Sequence, residues 1–337
     1  MSFNLGPVHV DPPVLLAPME DVTNAAFRSI AKEIAKPGLM FTEFVSAMAV
    51  HHNAKKTIKK MIVNDFERPL GIQIFGGVPE VMAETARLCE EMGADIVDIN
   101  MGCWVPKVCK TGSGAALLKD PETAAKIVKA VVDAVRVPVT VKVRAGWTYD
   151  LFAAPDLARR FQDAGIKMLT LHARFAKQGF EGQADWKLIE QLRSAVTVPL
   201  IGNGDIRQPD DALKMIRETG CDGVMVGRAA ISNPWRLRQI VDAVAGRAIS
   251  EEPTLHQRIE TALLHLRRHI DHEHEYDPGR GETPAIRSLR GQIPIYIKGV
   301  PGAAALRGEL VTAETYDEIE SRLRLFETEA ARFAVTA

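Results

Sequence analysis

The chain has 337 residues, of which 46% are hydrophobic and 25% charged, with a formal net charge of −1. That balance excludes a disordered or fibrous protein, and no apolar run approaches the roughly 18 residues of a membrane span. The opening MSFNLGPVHVDPP lacks a basic segment followed by an apolar one, and the four cysteines show no framework-like regularity, so a cytoplasmic protein with reduced thiols is expected.

In chain order, short apolar runs alternate with amphipathic segments at a spacing of roughly 25 to 30 residues, the pattern of repeated βα units with parallel strands. The strands are predicted at Val14–Pro18, Leu39–Thr42, Leu70–Phe75, Ile96–Asn100, Val139–Arg144, Met168–His172, Pro199–Asn203 and Gly223–Gly227. Helix-length segments such as Pro79–Met92 and Pro121–Val135 follow them. In EEMGADIVDI, QDAGIKMLTL and RETGCDGVMV a helix ends on glycine, where a left-handed C-cap costs little. Eight such units without a leading GxGxxG predict an α/β fold of the (β/α)8 TIM-barrel type. After Ala245 the strand pattern stops, and Leu255–His272 and Glu314–Phe333 read as helices. The expected division is a barrel over 1–245 and an all-helical domain over 246–337.

Barrels of this kind build their sites from the C-terminal strand ends. Here those ends carry Pro18 and Met19, Glu43, Gln73, Asn100 with Cys103 beyond it, Lys142 and Arg144, His172 and Arg174, Asn203 with Gly204 and Asp205, and Gly227 with Arg228. So many amide, cationic and imidazole groups at one mouth would lack partners without a ligand. IGNGDI and MVGRAA end the last two strands in glycine-rich turns with free N–H groups, and Arg228 adds a cation suited to phosphate. Gln73 and Lys142 facing that phosphate site fit a flat heterocycle with a phosphate tail.

The phrases LLAPMEDVTNAAFR, IQIFG, DINMGCWVPKV, VKVRAGW, LHAR, GNGDI and VGRAA, in this order, resemble the flavin-dependent tRNA-dihydrouridine synthases, closest to the bacterial B-type branch. The tail phrase IRSLRGQIPIYIKGVPGAAALR resembles that family's helical domain. The resemblance implies FMN held by Pro18, Met19, Gln73, Lys142, His172, Asn203, Gly204, Asp205, Gly227 and Arg228. It also implies NADPH as reductant, Cys103 as catalytic acid, and Asn100, Arg174 and Lys142 on the uracil of a tRNA substrate, and the C-terminal helical domain is expected to bind that RNA. No membrane, metal or obligate protein partner is implied, and a monomer is expected.

The chemistry suits these residue types. A uracil C5–C6 bond takes hydride at C6, charge develops toward C5 and O4, and C5 must then be protonated. A thiol with an ordinary pKa of about 8.5 holds its proton at neutral pH. Lys142 and Arg174 would stabilise the developing charge. Phosphates would meet Lys55, Lys56, Lys59, Lys60, Lys107, Lys110, Arg174, Lys177, Arg287, Arg290, Lys298 and Arg307. His265, His269, His272 and His274 sit among acidic residues and read as a polar helix end. This chain has Trp104 after the cysteine where the family more often has Pro, and Phe175 and Phe180 where Thr and Tyr are common. Two other functions fit the same residues: an FMN barrel reducing a free small metabolite, and a non-catalytic RNA-binding relative.

Overall fold

The computed structural model describes residues 1–279 and 281–336, with side chains through Arg332. Its centre is a closed barrel of parallel strands: β3 (Val14–Leu16), β4 (Leu39–Phe41), β6 (Leu70–Phe75), β7 (Ile96–Met101), β8 (Val139–Arg144), β9 (Met168–His172), β10 (Leu200–Asn203) and β11 (Gly223–Val226). Each pairs with its neighbours in order, and β4 pairs with β6 to complete the ring. A two-residue piece, β5 (Val45–Ser46), pairs with the upper end of β6. The second barrel strand is thus split, with Thr42–Phe44 as the interruption.

Two short strands precede the barrel, β1 (Phe3–Leu5) and β2 (Val8–Val10), paired antiparallel. Leu5 and Val10 are fully buried and pack with Leu15, Leu39, Phe41, Ile96, Met168 and Ile201. This hairpin therefore plugs the N-terminal end of the barrel.

Strand side chains alternate between faces, and here the alternation separates chemistry from packing. On β7, Val97, Ile99 and Met101 face the helices, as do Val139, Val141 and Val143 on β8. The alternate residues, Asp98 and Asn100 and then Thr140, Lys142 and Arg144, point into the barrel, where a polar layer lies above the apolar plug. Two of the predicted glycine caps, Gly165 and Gly220, have φ of 106° and 66°, closing their helices in the left-handed region.

The barrel's last helix, Pro234–Val244, leads into four more: Leu255–Tyr276, Thr283–Leu289, Ala303–Leu310 and Tyr316–Thr336. Thr254 starts the first with a capping box to Gln257. These helices bury their own apolar cluster, including Leu263, Leu266, Ile286, Tyr296, Ile297 and Leu323. Their longest member packs on the barrel helix Ala25–Ile34: Arg268 donates to Ser29 at 3.0 Å and Glu33 at 2.7 Å, and His265 lies 5.6 Å from the Phe27 ring. Gln292 donates its side-chain N–H to the carbonyl of Asp21, tying the helical layer to the rim of the barrel mouth.

Candidate active site

A cavity of about 930 Å³ opens at the C-terminal end of the barrel. Pro18, Met19, Asn100, Cys103, Lys142, His172, Asn203, Gly204, Asp205, Gly227 and Arg228 all line it. Two residues predicted for the site are not among the lining residues. Gln73 is fully buried one layer deeper, and Arg174 is 1% exposed.

Gln73 belongs to a hydrogen-bonded chain inside the barrel. Thr140 donates to Asp98 at 2.5 Å, Gln73 donates to the other Asp98 oxygen at 2.6 Å, and Asn100 donates to the Gln73 carbonyl at 2.8 Å. The Asn100 oxygen then accepts the backbone N–H groups of Gly102 and Cys103 at 3.0 and 2.9 Å. The Asn100 amide thus ties the barrel's hydrogen-bonded chain, through its nitrogen, to the cysteine loop, through its oxygen. Burial raises the Asp98 carboxyl to about 6, against the opposing hydrogen bonds.

Arg174 donates to Asp205 at 2.7 Å and to the carbonyl of Gly182 at 2.9 Å, and so anchors the loop beyond β9. Arg144, by contrast, does line the cavity. Its Nε donates to Gly102 O at 3.0 Å, and its Nη1 to Phe175 O at 3.0 Å and Gly179 O at 2.8 Å. One side chain thereby joins the cysteine loop to the loop after β9.

The electrostatics are those of a site short of negative charge. Burial, with repulsion from Arg144, lowers Lys142 to about 8, and burial, with repulsion from Arg174, lowers Arg144 to about 10. His172 lies well below the usual imidazole range through burial and then the surrounding cations Lys142, Arg144, Arg174 and Arg228. It is a neutral ring at physiological pH. Asp205 is shared by Arg174 and Arg228, the latter at 2.8 Å, while Lys142 donates to the amide oxygen of Asn203 at 3.2 Å. The Cys103 thiol is pushed up by burial, so it keeps its proton at neutral pH.

On the opposite rim, Lys60 bridges Glu20 at 2.7 Å and Glu43 at 3.1 Å, and Glu43 also accepts the N–H of Asp21 at 2.8 Å. Glu20 lines the cavity and with Asp205 adds carboxylates to a largely cationic wall. Sequence reading passed over Asp98, and it marked Trp104 and Phe180 only as departures from the family pattern, not as parts of the cavity wall. Asp98 had a usable signal, since it shares the inward parity of Asn100.

Among the other predicted basic residues, Lys59 pairs with Glu273, Arg287 with Glu314 at 2.5 Å, and the Lys177 ammonium lies over the Trp147 ring at 5.6 Å. Lys55, Lys56, Lys107, Lys110, Lys298 and Arg307 are exposed. Among the described residues, no helix is long and apolar enough to cross a membrane.

Comparison with known proteins places this arrangement. Residues 15–332 match the family described as dihydrouridine synthase (Dus). The chain is 38% identical to a probable tRNA-dihydrouridine synthase 1 of Synechocystis, over 94% of this chain and 86% of that protein. It is 37% identical to a tRNA-dihydrouridine synthase B of Xanthomonas axonopodis pv. citri, over 94% and 92% respectively. Among solved structures, morphinone reductase in complex with tetrahydroNAD aligns with a TM-score of 0.51 at 15% identity, covering 75% of this chain and 92% of that one. Histamine dehydrogenase from Rhizobium gives 0.56 at 15%, covering 79% and 50%. The structural likenesses speak for the barrel alone, whereas the sequence match runs through barrel and helical layer together: the chain belongs to the dihydrouridine synthase family.

Proposed function

We propose that this protein reduces the C5–C6 bond of uridines in tRNA to 5,6-dihydrouridine, using FMN at the barrel mouth and NADPH as reductant. The observation that carries the reading is the half-buried thiol of Cys103 in a cavity walled by Lys142, Arg144 and Arg228. Its cations outnumber the carboxylates Glu20 and Asp205, which suits an anionic ligand beside a proton donor.

The residues present fit FMN. A Cβ on Gly227 would meet nothing nearer than Ala17 at 3.7 Å, which leaves its backbone open to close approach. Arg228 beside it is half exposed and can turn toward a phosphate. Lys142, His172 and Asn203 face the same space from β8, β9 and β10. When bound, FMN would supply hydride to C6 of the base.

The remaining work falls to the chain. Cys103 delivers its proton to C5, and the Asn100 amide fixes that loop from below. Lys142 and Arg144 are cations at the cavity wall and stabilise charge developing toward O4. The exposed lysines and arginines around the mouth and on the helical layer meet the RNA phosphates. The uridine enters unpaired, turned out of its stack. We further propose that the protein acts as a monomer in the cytoplasm.

The test is direct. Purified protein should be yellow, and unmodified tRNA incubated with it and NADPH should gain dihydrouridine, which Cys103→Ala should abolish. A colourless protein that cannot be reconstituted with FMN, or tRNA left unmodified, would sink the reading.

A further inference from the structure

We infer that Trp104 and Phe180 form a stacking platform for a nucleobase adjacent to the extruded uridine. The inference rests on the function proposed above and adds to it how the flanking RNA is held. Trp104 directly follows Cys103, and both aromatic rings line the same cavity. They remain 37% and 51% exposed, an unusual state for two large rings in mutual contact. Their centroids lie 6.2 Å apart at 83°, an edge-to-face pair.

The surrounding residues fix the pair. Gly179 has φ of 59°, and a Cβ there would meet the Trp104 ring at 3.3 Å, so only glycine lets the indole sit flat on that turn. Arg144 holds the carbonyls of Gly102 and Gly179, one on each loop that carries a ring. The platform is therefore built as a unit with the cysteine loop. The guanidinium of Arg228 lies 4.8 Å from the Phe180 centroid and that of Arg144 5.6 Å. Exposed aromatic rings, one of them already stacked by guanidinium groups, suit a base whose phosphates must also be met. A free metabolite seated at Cys103 would leave these rings in water.

The experiment measures binding of an unmodified tRNA transcript to the flavin-loaded wild type and to Trp104→Ala, Trp104→Phe and Phe180→Ala, with dihydrouridine formation mapped in the same reactions. Trp104→Ala should raise the Kd roughly ten-fold, which corresponds to about 1.4 kcal/mol and lies within the range for one stacked base. Trp104→Phe, which keeps a ring, should lose less than about three-fold. Making the nucleotides beside the mapped uridine abasic should cost the wild type a similar factor and cost Trp104→Ala little more. Equal tRNA affinity for wild type and Trp104→Ala would overturn the platform while leaving the synthase reading intact. A defect confined to FMN content or to NADPH oxidation without RNA would also overturn it, by assigning the rings to those ligands. A wild type that makes no dihydrouridine and binds no tRNA would remove both readings at once.

Discussion

The side-chain oxygen of Asn100 accepts the backbone N–H of Cys103 at 2.9 Å. The proposed proton donor is thereby seated by the amide at the end of its own strand. Asn100→Ala should release the loop while leaving the cavity wall otherwise unchanged. We expect at least a ten-fold fall in kcat for dihydrouridine formation with FMN content retained, and a smaller change in KM. Asn100→Asp should do no better, because its second oxygen would face the Gln73 carbonyl now at 2.8 Å from the amide nitrogen. Single-turnover kinetics on flavin-loaded protein measure this.

Arg174 distinguishes an anchoring role from a substrate role. Its partner Asp205 is 11% exposed, and replacing Arg174 by Met leaves that carboxylate with the more exposed Arg228 at 2.8 Å and Arg207 at 3.8 Å. Breaking such a buried pair costs on the order of 3 kcal/mol, so the denaturant midpoint should fall clearly. An Arg174→Met protein as stable as wild type but unable to modify tRNA would return this residue to the substrate.

Gly204 has φ of 124°, and a Cβ there would lie 2.7 Å from that of Ala184 and 3.1 Å from the His172 ring. Gly204→Ala should lower stability by about 2 kcal/mol and reduce bound FMN, since the strain falls on the turn beside Asn203. The flavin-to-protein absorbance ratio reads the second effect.

Acid should loosen the junction between barrel and helices. Burial lowers His265 to about 3 and His269 to about 4, so both stay neutral when folded. The unfolded imidazoles protonate below about 6.5. Between those values the unfolded chain binds more protons, and stability falls as pH drops from about 6.5 toward 4. Asp98, raised to about 6, works in the opposite sense below that pH but is one group against four, since burial lowers His172 and His272 as well. Replacing His269 by Gln should flatten the slope of unfolding free energy by up to about 1.4 kcal/mol per pH unit in this window. An unchanged slope would count against the assignment.

The barrel was legible because β7 and β8 alternate strictly, with Val97, Ile99 and Met101 on one parity and Asp98 and Asn100 on the other. The same parity brings Lys142 and His172 to the cavity from neighbouring strands. Gln73 has that parity too, but its height in the barrel, which depends on strand stagger, puts it below the cavity floor. Arg174 lies beyond the end of β9, where parity no longer applies and a carboxylate beyond the next strand, Asp205, decides its direction. The hairpin of β1 and β2 escaped notice because three-residue strands are too short to show a period. The helices Thr283–Leu289 and Ala303–Leu310 are likewise short and defined by mutual burial.

That hairpin has a kinetic consequence. With Leu5 and Val10 closing the far end, whatever reaches Cys103 enters and leaves by a single doorway. On the function proposed, the reductant and the RNA must take turns there. Double-reciprocal plots against one substrate at several levels of the other should run parallel, and each substrate in excess should inhibit use of the other.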